Sequence, residues 1–255
     1  MVSTESPIEV RLLGRTDIRC GDVRLDSRLS ARSLLVCAML LTSRGEPLKR
    51  DEVAFALWPD EGEAEARAAL RRELYKIQRA FPPSNRPWIV SNNRSIAWGA
   101  WDATWVDVVE FERLSADPET AEGAVELYRG EFAPQLDHEW AGGVRERLAK
   151  AYLRTLQAVI ERRRSERNAY GMLHYVERLL EHDPWREDAI SELLLLRAWM
   201  GDRAGALWYY RDFCKRLRAE FGVEPMPETV RCYERVAGGQ IAAEQSRAGL
   251  VLATA

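Results

Sequence analysis

Glu63-Ala64-Glu65-Ala66-Arg67-Ala68-Ala69-Leu70-Arg71-Arg72-Glu73-Leu74-Tyr75-Lys76-Ile77-Gln78-Arg79-Ala80-Phe81 is the stretch whose reading decides the first fold. Leu70, Leu74, Ile77 and Phe81 recur at i, i+4, i+7 and i+11, which on an α-helix places them within about 40° of one another. On the same wheel Arg72, Tyr75, Lys76 and Arg79 lie on the far side. The spacing predicts a helix with a narrow apolar stripe and a cationic face opposite it, ended by Pro82, Pro83 and Pro87.

Upstream, Val53, Leu57 and Trp58 mark a short helix over residues 50–58, stopped by Pro59 and the turn Asp60-Glu61-Gly62. Ser30 is placed to cap a helix carrying Leu34, Leu35, Ala38 and Leu41, which Gly45 and Pro47 end. Ile8 to Leu12, and Ile18 to Leu25 around Cys20-Gly21-Asp22, alternate apolar and polar as short half-buried strands do. Downstream, Trp88 to Ser91 and Arg94 to Trp98 read as two strands joined by a turn with positive φ at Asn92 and Asn93. A strand pair, three helices and a closing hairpin follow one another as in a winged helix-turn-helix, whose third helix enters the DNA major groove while the hairpin, the wing, lies on the backbone. The expected DNA-facing residues are then Arg72, Tyr75, Lys76 and Arg79 on the third helix, with Arg67 and Arg71 on its flank. Arg94 is expected at the wing tip. Lys49 and Arg50, at the start of the second helix, are placed to meet a phosphate that also accepts helix N-terminal amides.

Beyond Trp101 the pattern is helical, with expected helices over 104–114, 119–128, 140–164, 169–182, 186–200, 203–221 and 227–236. Gly171-Met172-Leu173-His174-Tyr175 and Gly205-Ala206-Leu207-Trp208-Tyr209 correspond at a spacing of 34 residues, as do Leu179 and Phe213. That is the tetratricopeptide period, although two units in register also suit another antiparallel helical bundle. The expected organisation is an α+β winged helix-turn-helix over 1–100, an all-α tetratricopeptide-like domain over 101–238 and a tail over 239–255.

The whole chain of 255 residues has 37 Lys plus Arg against 40 Asp plus Glu, a formal charge of −3 that excludes a globally basic nucleic-acid binder. Resolved by segment the charge is uneven: residues 64–100 carry seven basic and two acidic side chains, whereas residues 101–255 carry 21 and 27. A basic segment would hold phosphate while an acidic array keeps itself off DNA and free for protein partners. His138, His174 and His182 form no metal-ligand spacing, Cys20, Cys37, Cys214 and Cys232 no C-x-x-C pair, and no nucleophile or phosphate-loop motif occurs. Neither enzyme activity nor a cofactor or metal is expected. The opening MVSTESP has neither a basic start nor an apolar core, and no run of 18 apolar residues occurs, so a cytoplasmic protein without a membrane span is expected. The tryptophans at 98, 101 and 105, expected to cluster at the domain junction, and those at 185, 199 and 208 are expected to pack in cores or between helices rather than to stack on bases.

Several segments resemble the bacterial transcriptional activator domain proteins and are similar to the Streptomyces antibiotic regulatory protein group. They are Arg32-Ser33-Leu34-Leu35, Leu48-Lys49-Arg50-Asp51-Glu52-Val53, Ala66 to Leu74, Val106 to Glu112, Leu127-Tyr128-Arg129-Gly130-Glu131-Phe132, Glu139-Trp140 and His182-Asp183-Pro184-Trp185-Arg186-Glu187. The most specific is Ala219-Glu220-Phe221-Gly222-Val223-Glu224-Pro225-Met226-Pro227-Glu228-Thr229. The chain departs from the family pattern at Ser95-Ile96, where relatives carry Gly-Tyr, and at Phe221, a core Leu in relatives. The resemblance implies an activator that binds double-stranded DNA at promoter direct repeats as a homodimer or paired monomers. It further implies recruitment of RNA polymerase through its sigma or alpha subunit. A different class of function, a non-DNA adaptor whose helical array binds a protein partner, is the alternative reading.

Overall fold

Alternating Ile8, Val10 and Ile18, all buried, start a four-stranded sheet in the computed structural model, which describes residues 7–84 and 86–241. Strands β1 (Ile8–Arg11), β2 (Asp17–Cys20) and β3 (Val23–Arg24) form the expected meander. Ser30 caps α1 (Ala31–Thr42), its hydroxyl accepting from the Ser33 amide at 3.1 Å. The chain leaves α1 through Arg44 and Gly45, both at positive φ. Two residues of strand, β4 (Leu48–Lys49), lead into α2 (Arg50–Leu57), and after a short turn α3 (Glu63–Ala80) begins. The hairpin β5 (Ile89–Ser91) and β6 (Ser95–Trp98) completes a second sheet in the order β4-β6-β5.

Two local readings change. Residues 104–106 are not helical: they form β7 (Thr104–Val106), which pairs parallel with β1 and completes the order β3-β2-β1-β7. The helix α4 (Asp107–Ser115) starts only after it, because Asp107 is spent elsewhere: its buried carboxylate accepts from the amides of Leu12 and Leu13, each at 2.9 Å, and of Val108 at 2.8 Å. The hairpin turn is also different. Neither asparagine is at positive φ. Instead the Asn92 amide donates to the Ser95 carbonyl at 3.0 Å, and its side-chain oxygen accepts from the amides of Arg94 and Ser95 at 2.7 and 2.8 Å, an Asx turn that needs no left-handed residue.

The helices α5 (Ala121–Leu127) and α6 (Glu139–Ser165) follow. Between them the chain returns to β1: Phe132 bridges Leu13, and Gly130 packs backbone to backbone on Gly14. Both glycines are at positive φ, and a Cβ on Gly14 would stand 2.7 Å from the Arg129 carbonyl oxygen, so side chains there would force the strands apart. The loop is tied down by Arg145, which donates to the carbonyls of Phe132, Ala133 and Leu136. The first compact unit accordingly ends at Thr155 and the second begins at Leu156, inside α6, whereas residue 100 marks the end of the wing.

The second unit continues with α7 (Ala169–His182), α8 (Glu187–Trp199), α9 (Arg203–Phe221) and α10 (Pro227–Ala237). The 34-residue correspondence is structural: the Asn168 and Asp202 side chains cap α7 and α9 by accepting from the amides of Gly171 and Gly205, at 2.8 and 2.9 Å. Leu179 and Phe213 are both buried. The most specific resembling segment, Ala219 to Thr229, here meets the one over His182 to Glu187. Glu187 accepts from the Met226 amide and the Thr229 hydroxyl at 2.7 and 2.6 Å, and Trp185 meets Phe221 edge-on at 4.9 Å.

Three expectations for aromatic residues fail. Trp208 is 67% exposed, because its position falls on the outer side of α9, so it is not core. Phe221 is 55% exposed and covers Trp185 instead of filling an interior site. Trp98 is fully buried but joins Phe81 and Trp88, while Trp105 sits beneath the Arg11 guanidinium, so Trp98, Trp101 and Trp105 form no single cluster among the described residues. From residue 242 on, the expected tail lies outside the described residues.

Candidate nucleic-acid interface

The apolar stripe of α3 is buried as its spacing predicts, with Leu70, Leu74 and Ile77 all 7% exposed or less. Phe81, at its C-cap, packs against Trp88 and Trp98 at 5.6 and 5.2 Å, which fixes the wing to the end of α3. Pairing of β4 with β6, Leu48 with Ile96 and Lys49 with Ser95, brings the start of α2 to the same wing. The Arg50 amide is consumed by this arrangement, donating to the Arg94 carbonyl at 2.9 Å, so it is not free for a phosphate as the sequence suggests.

Three elements therefore converge on one polar groove of about 530 Å3, lined by Arg50 and Asp51 from α2, Arg67 and Arg71 from α3, and Ser91, Asn92 and Asn93 from the wing. Of the expected residues, Arg50, Arg67 and Arg71 come together here. Arg72, Tyr75, Lys76 and Arg79 are exposed along α3 outside the groove, and Arg94 is exposed at the wing turn. Asp51, Ser91, Asn92 and Asn93 were not among the expected site residues. Nothing in their local spacing marks them, since the groove is made by strand pairing across about 45 residues.

The cations divide by their partners. Arg67 is held by Asp51 through two bonds of 2.8 and 3.1 Å and by Glu63 at 3.1 Å. Lys76 is paired with Glu73 at 2.6 Å, and Glu73 is buried because the Ser30 and Ser33 hydroxyls also donate to it, at 3.1 and 2.5 Å. Burial raises the Glu73 carboxyl, but Lys76 and the two serines outweigh it and hold its pKa below the usual glutamate range. Lys49 is paired with Glu52 at 2.6 Å. Arg79 reaches the Tyr75 hydroxyl at 3.3 Å and lies over its ring. Arg50, Arg71, Arg72 and Arg94 make no ion pair among the described residues. Four unspent guanidiniums, three of them beside or within one groove, suit phosphate oxygens and guanine edges. Among the described residues no group of His, Cys, Asp and Glu could hold a metal ion, and no helix is long and apolar enough to cross a membrane.

A family model described as the bacterial transcriptional activator domain matches residues 106–237. The chain belongs to this family. The activator-domain match opens at the last residue of β7, beside the Asp107 anchor, and closes at the end of α10, so it takes in parts of both compact units. All nine expected DNA-facing residues lie before it. The Regulatory protein AfsR of Streptomyces coelicolor is 27% identical over 251 residues, covering 93% of this chain and 24% of the relative. The chain thus spans about a quarter of the length of that relative. Among solved structures, Mycobacterium tuberculosis EmbR, in complex with a low affinity phosphopeptide, superposes with a TM-score of 0.67 at 20% identity over 96% of this chain and 70% of that one. That likeness shows the fold: a winged helix-turn-helix with a helical activator domain.

Proposed function

We propose that this activator-domain protein is a sequence-specific DNA-binding transcription activator that acts in the cytoplasm. Residues 1–100 form the DNA-reading module and residues 101–238 the domain that meets the transcription machinery. One observation carries the reading: α3 buries one stripe and exposes Arg71, Arg72, Tyr75, Lys76 and Arg79, with Arg71 beside the wing turn. In this reading α3 enters the major groove with Arg72 on base edges, while Arg94 and the wing hold the adjacent backbone. The family membership supports the remainder: binding to promoter direct repeats as a homodimer or paired monomers, and recruitment of RNA polymerase by contact with sigma or alpha. The reading assigns no catalytic role and no cofactor to any residue.

Mobility shift of the full chain on the DNA upstream of its own gene, at two salt concentrations, tests this. A shift that weakens as salt rises is the expected result. Absence of any salt-dependent shift would sink the DNA reading and favour the adaptor reading, for which the internal neutralisation of Lys49, Arg67 and Lys76 already speaks. A fragment ending at Trp101 is unsuited to the test, because it lacks β7 and Asp107 and so strips β1 of its parallel partner.

A further inference from the structure

The groove between α2, α3 and the wing holds an internal contest that DNA binding alone does not explain. Arg50 and Arg71 enter it without an ion pair, and burial followed by the neighbouring Arg71 charge lowers the pKa of the Arg50 guanidinium. Two like charges facing one open polar space repel each other, and a bound anion reverses the sign of that energy. The wing supplies uncharged donors, the Ser91 hydroxyl and the side-chain amides of Asn92 and Asn93, around the same space. Against them stands one acid. Asp51 lines the groove and already occupies both faces of the Arg67 fork, at Nε and Nη2. Arg67 in turn keeps a second acid, Glu63, at 3.1 Å, so it need not lose all compensation if Asp51 is released.

We propose that this groove seats one phosphodiester of the DNA backbone on Arg50 and Arg71, and that Asp51 is an internal competitor for it, keeping Arg67 occupied until a docked duplex displaces it. The inference rests on the DNA-binding reading above. Its physical content is a difference between duplexes. Every duplex meets the Asp51 carboxylate as a like charge, but only one seated by its bases on the exposed face of α3 holds its phosphodiester where Arg67 can turn from Asp51 to it, so a wrong sequence keeps the repulsion without gaining that contact. Asp51 therefore lowers affinity for wrong sequences more than for the right one, a repulsive device for specificity.

Fluorescence anisotropy of the full chain, titrated onto its own upstream duplex and onto a scrambled duplex over a salt series, tests this. Asp51→Asn should tighten the scrambled duplex by about threefold to tenfold and the upstream duplex less, and steepen the dependence of log K on log salt by up to about 0.9, the slope for one more neutralised phosphate. Combined with Arg67→Ala, that gain should vanish. Glu146→Gln, which removes an equal charge paired with Lys150 on α6, should leave both affinities within about twofold, as expected for an exposed pair outside the groove. Binding by the wild type with Asp51→Asn unchanged, with Asp51→Asn matching Glu146→Gln, or with the gain surviving Arg67→Ala overturns the inference and leaves the DNA reading intact. No salt-dependent binding of the wild type to either duplex overturns both. Inorganic phosphate added at constant ionic strength should compete no better than chloride; full displacement by phosphate alone would assign the groove to a free phosphate and overturn the proposal as stated.

Discussion

The two compact units solve the problem of holding one face against another in opposite ways. In the second, each contact repeats along the chain: Asn168 and Asp202 cap successive helices, Gly171 and Gly205 make room for those caps, and Leu179 and Phe213 fill the corresponding core positions. In the first, the decisive contacts join distant segments. Asp107 accepts from Leu12 and Leu13, more than 90 residues away, β4 pairs with β6, and Glu112 receives both Arg44 and Arg147. The difference teaches that the repeated unit is stabilised by local packing between neighbouring helices. The winged unit depends instead on contacts between distant segments, and the surface assigned to DNA is assembled by two of them, the pairing of β4 with β6 and the packing of Phe81 on Trp88 and Trp98.

That contrast can be broken most sharply at the two anchoring residues. Phe213→Ala should cost about 3–5 kcal/mol, the usual price of deleting a fully buried aromatic, read as a lowered denaturant midpoint for helical signal. A loss below about 1 kcal/mol would mean that the repeat relaxes around the cavity and is not close-packed. Asp107→Ala should cost about 3 kcal/mol, since it strands buried amides at roughly 1–3 kcal/mol each. Hydrogen exchange at Leu12 and Leu13 should rise with it, whereas amides of α8 should stay protected. Burial pushes the Asp107 carboxyl up to about 6 against the pull of those three donors, so it is not a group to replace by simple charge arguments.

Smaller effects sharpen the functional side. Arg72→Ala should weaken binding to the upstream duplex by about 1–3 kcal/mol and relax sequence preference. Equal loss on scrambled DNA would reduce Arg72 to a phosphate contact. Lys76→Ala should chiefly lower the salt slope, and by less than a free lysine would, because Lys76 is already shared with Glu73.

Acid should act on the first unit through Glu112. Burial raises this carboxyl, but bonds from Arg44 and Arg147 prevail and hold its pKa below the ordinary glutamate value. A depressed carboxylate contributes stability that is present above its unfolded pKa and lost as pH falls through the folded one. Glu112→Gln should therefore cost about 1 kcal/mol near neutrality, the partners being half exposed, and nothing in strong acid. Chemical denaturation at pH 7 and at pH 3 measures the difference; a gap that widens in acid would contradict the assignment. The smallest effect belongs to Trp208→Ala, expected to stay within about 0.5 kcal/mol because the ring is on the surface. It is the counterpart of Phe213 on the same helix.

How far the sequence could be read follows the same division. The stripe of α3, the Ser30 cap and the 34-residue correspondence were legible because each depends on residues within a few turns of one another. Thr104-Trp105-Val106 has the pattern of a helix because it runs straight into the amphipathic Asp107 to Ser115, and only the pairing of β7 with β1 reveals a strand. The Asn92-Asn93 turn is ambiguous in sequence because two turn chemistries share the same residues, and the Asn92 side chain, not the backbone, makes the choice. Trp208 shows the limit of composition: a large aromatic at helical spacing is core only if a neighbouring element covers it.

By itself, then, the sequence determined most of the helical segments, which face of α3 is apolar, where the basic charge gathers and which family nearly the whole chain resembles, because periodicity and charge are properties of position along the chain. The pairs Lys49 with Glu52 and Lys76 with Glu73 lie three residues apart and follow from helical spacing as well. Only the tertiary structure decided the rest: it brings Asp51 to Arg67 across 16 residues and gathers Arg50, Arg71 and the wing around one groove, because an electrostatic contact between distant segments depends on distance in space.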